Sequence, residues 1–105
     1  MIELIIEKIG VFLMKKKIPS EEDLKKLNVE SWGTWEKEKS VFDWSYSDTE
    51  TCYILNGEVE VTDSSTGEKL EFKKGDLVQF PKGLKCVWNV KKTVRKYYNF
   101  GDLEI

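Results

Sequence analysis

Polar and apolar residues alternate along much of this chain, in short runs broken by turn-forming residues. Residues 58–62 give the clearest case: Val59 and Val61 fall on one face of an extended strand, and Glu58, Glu60 and Thr62 fall on the other. Residues 68–72 repeat the pattern, with Leu70 and Phe72 inward. The polar stretch 63–67 between them predicts a hairpin loop. Asn56-Gly57 predicts a second, tighter hairpin turn just before the first run. Gly75-Asp76 predicts a turn ahead of a strand at 77–80, and Pro81 and Gly83 bracket a loop. Segments 85–90 and 93–100 then read as two closing strands. Upstream, 41–46 alternates and is rich in aromatics, and 10–16 reads as a first strand. One short helix interrupts the pattern near 20–27. Ser20 is a good N-cap, Glu21, Glu22 and Asp23 sit in the first turn, Lys25 and Lys26 sit in the last, and Asn28 supplies a stop. Short strands punctuated this regularly predict an all-β sandwich or closed barrel.

Composition narrows the class. The chain has 105 residues, 40% apolar and 34% charged, which suits one globular domain with a modest core. Nineteen acidic and 17 basic residues leave a net charge of -2, so the basic footprint of a nucleic-acid binder is missing. No apolar run approaches the roughly 20 residues of a membrane span. Residues 1–14 are apolar, but Glu3, Glu7 and Lys8 interrupt them, and they lack the start and cleavage site of a secretory leader. Two cysteines are too few for a disulfide framework, and a cytoplasmic location is the expectation. The apolar run 2–6 either covers its own barrel or offers an edge to a second copy, and a homodimer is expected. Histidine is absent altogether, which removes the commonest metal ligand and the commonest general base.

Segments 31–46, 50–63, 73–90 and 94–100 carry a resemblance. The chain is similar to the cupins, double-stranded β-helix barrels of the jelly-roll type, and most of all to small single-domain cupins related to the cupin domains of ureidoglycine aminohydrolase. The likeness runs from about Val11 to Phe100, and the whole chain, 1–105, reads as one cupin domain with residues 1–9 as an N-terminal extension. In the second cupin motif Gly75, Pro81 and Gly83 match, Cys86 takes the histidine position, and Asn89 falls one residue early. In the first motif Glu50 and Gly57 match, Trp44 and Tyr46 take the two histidine positions, and Glu38 stands where the first glycine belongs. Of the family's four metal ligands only Glu50 remains. Tryptophan offers only an N–H donor and tyrosine is protonated near neutrality, so the resemblance implies a cupin without metal or other cofactor, and the aminohydrolase reaction is not carried over.

The resemblance, together with strand parity, implies a ligand site of Trp44, Tyr46, Glu50, Cys52, Cys86, Trp88, Lys96 and Tyr98. Glu50 would face the lumen, as ligand anchor, as general acid/base, or as an internal carboxylate paired with Lys96. Cys52 shares the face of Glu50, and Cys86 holds a former ligand position. The two are small core residues, a reactive thiol pair, or partners of Glu50 in a soft metal site. Arg95 is expected to point out and Lys96 in. Trp32 and Trp35 lie outside the motifs and are expected to pack at the rim. Two functions remain open: a metal-free barrel binding a small molecule between aromatic walls, or a small enzyme using Glu50 as acid/base with Cys86 as thiolate or metal ligand.

Overall fold

The computed structural model of the chain describes residues 13–105. The apolar run 2–6, to which the dimer expectation is attached, and the first part of the strand expected at 10–16 lie outside the described residues. In chain order the elements are β1 (Lys15–Lys17), α1 (Glu21–Leu27), a 3-10 turn (Val29–Ser31), β2 (Gly33–Lys37), β3 (Ser40–Ser45), β4 (Glu50–Asp63), β5 (Lys69–Lys73), β6 (Leu77–Phe80) and β7 (Lys85–Phe100). All strand pairings are antiparallel.

The helix forms as its caps dictate. Ser20 Oγ accepts the Asp23 N–H at 3.1 Å and the Asp23 carboxylate accepts the Ser20 N–H at 3.0 Å, a reciprocal capping box. Asn28 adopts the left-handed conformation and donates its N–H to the carbonyls of Leu24 and Lys25, which ends the helix.

Two long strands organise everything else. β4 and β7 pair along nearly their full lengths, from Glu50↔Phe100 to Asp63↔Cys86. The first half of β4 and the second half of β7 lie in a sheet ordered β1-β6-β4-β7-β2, while their other halves are flanked by β5 and β3. The two sheets thus share both long strands and fold over each other as an all-β jelly roll. The core between them includes Val59, Val61, Phe72, Phe80, Trp88 and Val90.

Two local readings are corrected here. Asn56-Gly57 does not turn the chain back; β4 runs straight through it, with register shifts between Ile54 and Val59. The extra residue makes a bulge, and the inward series changes from Glu50, Cys52 and Ile54 to Val59 and Val61. Gly57 is required there: its φ is 104°, and a Cβ would sit 2.5 Å from the Thr93 carbonyl oxygen and 2.7 Å from the Val94 Cα. Likewise 85–90 and 93–100 are one strand, β7, bent opposite Gly57 at the exposed residues Lys91, Lys92 and Thr93.

β6 loses the alternation expected of a one-sided strand, because all four of its residues are buried. Its outer face is covered by the C-terminal tail, where Gln79 Nε2 donates to Thr51 Oγ1 and to the Leu103 carbonyl. Among the described residues no helix is long and apolar enough to cross a membrane.

Candidate functional site

One end of the barrel interior is polar. Glu50, the first residue of β4, and Lys96, on the second half of β7, are each only 4% exposed. Lys96 Nζ donates to Glu50 Oε2 at 2.9 Å, and the Tyr46 hydroxyl donates to Glu50 Oε1 at 2.9 Å. Arg95 points outward and is exposed. The ammonium has a second set of neighbours: it lies 4.7 Å from the ring centroids of both Trp35 and Trp88, so two indole faces flank it. A buried ion pair of this kind is tolerable only when both charges are also hydrogen-bonded or otherwise solvated, and here each has such a second partner.

Local backbone geometry fixes Tyr46. It lies just beyond β3, and the loop after β6 holds it at both ends: its N–H donates to the Leu84 carbonyl at 2.9 Å, and its carbonyl accepts the Gly83 N–H at 2.8 Å. Its ring stacks on Phe80 at 5.3 Å and 8°. Burial, the Glu50 charge and Cys52 together push the Tyr46 hydroxyl far above its ordinary range, so it remains a donor to the carboxylate. For Lys96, burial alone would pull the ammonium down; Cys52, once its thiol ionises at high pH, and the Glu50 carboxylate outweigh it, and the net direction is up.

Above this polar floor opens a cavity of about 200 Å³. Its walls are Trp35, Phe42, Trp88 and Tyr98, and Trp44 and Phe100 stand at the mouth, 48% and 50% exposed. Tyr98 takes its position from Gly33, its register partner on β2; a Cβ on Gly33 would meet the Tyr98 ring at 2.6 Å. Phe42 stacks on Trp88, and Trp35 meets both edge-on. The Trp88 indole N–H is buried without a hydrogen-bond partner among the described residues.

Six of the eight nominated residues therefore border one cavity: Trp44, Tyr46, Glu50, Trp88, Lys96 and Tyr98. Trp44, at a histidine position of the motif, flanks the opening, and Tyr46, at the other, fills the space beside Glu50. Cys52 and Cys86 do not line the cavity. Both face inward, as parity requires, but each is covered by larger neighbours and almost fully buried. Cys86 pairs in register with Trp44 and lies 3.6 Å from its carbonyl oxygen. Burial and then the Asp63 carboxylate push the Cys86 thiol up to about 11, and burial drives Cys52 higher still, so neither is a thiolate near neutrality. Motif reasoning missed Trp35, Phe42 and Phe100. Strand parity could have found Trp35, since it faces Lys96 across the β2–β7 pairing while Thr34 and Glu36 are exposed.

The residues present do not fit a metal ion. Both Glu50 oxygens are engaged, Lys96 already places a positive charge against the carboxylate, and Cys52, Cys86 and Glu50 do not converge as a ligand set. Among the described residues no group of three Cys, Asp or Glu side chains could hold a metal.

A jelly roll built on two shared strands, with its site at the mouth of the lumen, defines a cupin domain. The chain belongs to the EutQ-like cupin family, whose model matches residues 24–98. It is 56% identical to a DUF861-family protein from Thermotoga maritima, whose crystal structure superposes with a TM-score of 0.82 over 84% of this chain and 99% of that one. A putative ethanolamine utilization protein Q from Salmonella typhimurium shares the fold at 24% identity and a TM-score of 0.60, over 84% of this chain and 67% of that one. The EutQ protein of Clostridium difficile does so at 23% and 0.61, over 90% and 71%. No curated protein matches the chain.

Proposed function

We propose that this protein is a metal-free cupin that binds a small organic molecule in the cavity above the Glu50–Lys96 pair. The observation that carries the reading is the cavity itself: aromatic walls, a half-open mouth, and the charged hydrogen-bonding groups gathered at its floor. Apolar walls with a few convergent polar groups are the usual make-up of a small-molecule site. Its volume lies below the roughly 300–1,000 Å³ of drug-sized pockets, which favours a ligand of about one ring. Trp44, Tyr46, Glu50, Trp88, Lys96 and Tyr98 form the site, joined by Trp35, Phe42 and Phe100.

The enzyme reading has less support. Glu50 is committed to an ion pair with Lys96, and the protonated Cys86 thiol is not in the cavity. The likeness to ureidoglycine aminohydrolase read from the motifs adds no reaction to this proposal. Two buried free thiols suit a reducing, cytoplasmic setting.

A fragment screen by ligand-detected NMR on the full chain tests the reading. Single-ring fragments are expected to bind competitively at one site, and Tyr98→Ala is expected to weaken them. Failure of every such fragment to bind, or hits indifferent to Tyr98→Ala and to Trp44→Ala, would sink it.

A further inference from the structure

The floor of the cavity carries one positive and one negative charge in contact, so its net charge is zero. Every polar group there has capacity to spare. Each Glu50 oxygen accepts one hydrogen bond, from Tyr46 or from Lys96, and a carboxylate oxygen can accept two. Lys96 spends one of its three N–H donors on Glu50; the faces of Trp35 and Trp88 flank the ammonium without using up a hydrogen-bond donor in the strict sense. The floor therefore offers a donor and an acceptor side by side at the end of an aromatic slot.

We infer that the cavity selects a net-neutral, planar ligand whose polar edge presents a carbonyl-type acceptor beside an N–H donor, as in a primary aromatic amide or a lactam ring. This rests on the reading of the cavity as a small-molecule site and adds the chemical class. The acceptor of such a ligand meets Lys96 and its donor meets Glu50, while the ring stacks among Trp35, Phe42, Trp88 and Tyr98. Charge decides against the alternatives. A ligand carboxylate would compete with Glu50 for Lys96 and leave a net negative charge at the floor. A ligand ammonium or amidinium would compete with Lys96 for Glu50 and leave a net positive one. Either excess charge would sit among groups almost sealed from water, where it goes uncompensated. The aromatic walls do not change the balance, because the two indoles closest to the floor already face the protein's own ammonium.

Benzamide, benzoate and benzamidinium have nearly the same shape and size and differ in charge. Their affinities for the full-length wild-type chain at pH 7 can be read from the indole N–H resonances of Trp35 and Trp88. Benzamide is expected to bind at least about tenfold tighter than either ion. A charged compound that equals or beats benzamide while moving the same resonances overturns the neutral class and leaves the cavity reading intact. If none of the three moves those resonances, the cavity reading fails and the class fails with it. Two variants sharpen the order: Glu50→Gln is expected to bring benzoate to the top, and Lys96→Met to bring benzamidinium there. If either variant does not fold, the wild-type order alone still decides.

Discussion

In one sheet β4 and β7 turn Val59, Val61, Trp88 and Val90 inward; in the sheet facing it the same two strands turn in Glu50, Cys52, Lys96 and Tyr98. The first set meets Phe72 and Phe80 and makes the apolar core, and its Trp88 is also a wall of the cavity. The second set leaves a cavity and a pair of charges whose neighbours are each other, Tyr46, Cys52 and two indoles. One pair of strands thus supplies both the stability and the site, and the bulge at Gly57 separates the two. It shifts the inward series of β4 by one position, so that one strand can serve an apolar interior and a polar one.

The sharpest way to break that division is at the bulge. Gly57→Ala places a Cβ against the backbone of β7 and forces a non-glycine residue into a positive φ, at a combined cost of roughly 2–6 kcal/mol. Urea denaturation measures it; a midpoint close to wild type would mean that the bulge relaxes freely.

Next comes the polar end. Glu50→Gln strands the Lys96 ammonium in a buried site and is expected to cost about 3–5 kcal/mol. Glu50→Gln combined with Lys96→Met removes both charges and is expected to recover most of that loss. A double variant no more stable than the single one would show that the ion pair is not the unit that matters.

The pH dependence should come from the polar end too. Lys96, Tyr46, Cys52 and Cys86 all have folded-state pKa values above their ordinary ones. The folded state therefore holds protons that the unfolded state gives up. Stability is full below about pH 8, starts to fall as unfolded thiols ionise around pH 8.5, and falls further as the pH climbs through the tyrosine and lysine ranges. Melting temperatures from pH 7 to 11 check the sign. Replacing both cysteines by alanine is expected to delay the onset by about one pH unit.

The mildest change is at the mouth. Trp44 is half exposed and touches Phe42 and Tyr46 edge-on, so Trp44→Ala is expected to cost no more than about 1 kcal/mol in stability while weakening ligand binding. Equal losses in both would place Trp44 in the core rather than at the opening.

Local signals in the sequence were legible where local chemistry decides. The Ser20 cap and Asn28 stop delimit the helix as read, and the alternation in 58–62 and 68–72 correctly pairs β4 with β5. Glu50 meets Lys96 because both lie on inward positions of neighbouring strands. What escaped is set by partners far away in the chain. Asn56-Gly57 has the chemistry of a tight turn, but β7 runs alongside on both sides of it and holds the strand extended. Trp35 and Phe42 carry no motif; they reach the cavity because β2 and β3 both lie against β7. Parity turns both cysteines inward, as found, yet it cannot tell which inward side chains are covered by larger ones.

The pairing of β4 with β7 also governs how the chain must find its fold. Glu50 meets Phe100 and Asp63 meets Cys86, so this pairing has to close long loops of unstructured chain before it gains any contact. The short connection from β4 to β5 is the one hairpin that can form locally within it. Folding is therefore expected to be slow for the chain's size, on the order of milliseconds to seconds, with the β4–β5 hairpin leading and the Glu50–Lys96 contact assembling last. The four tryptophans, three of them at the cavity, give stopped-flow fluorescence a direct view of that final step.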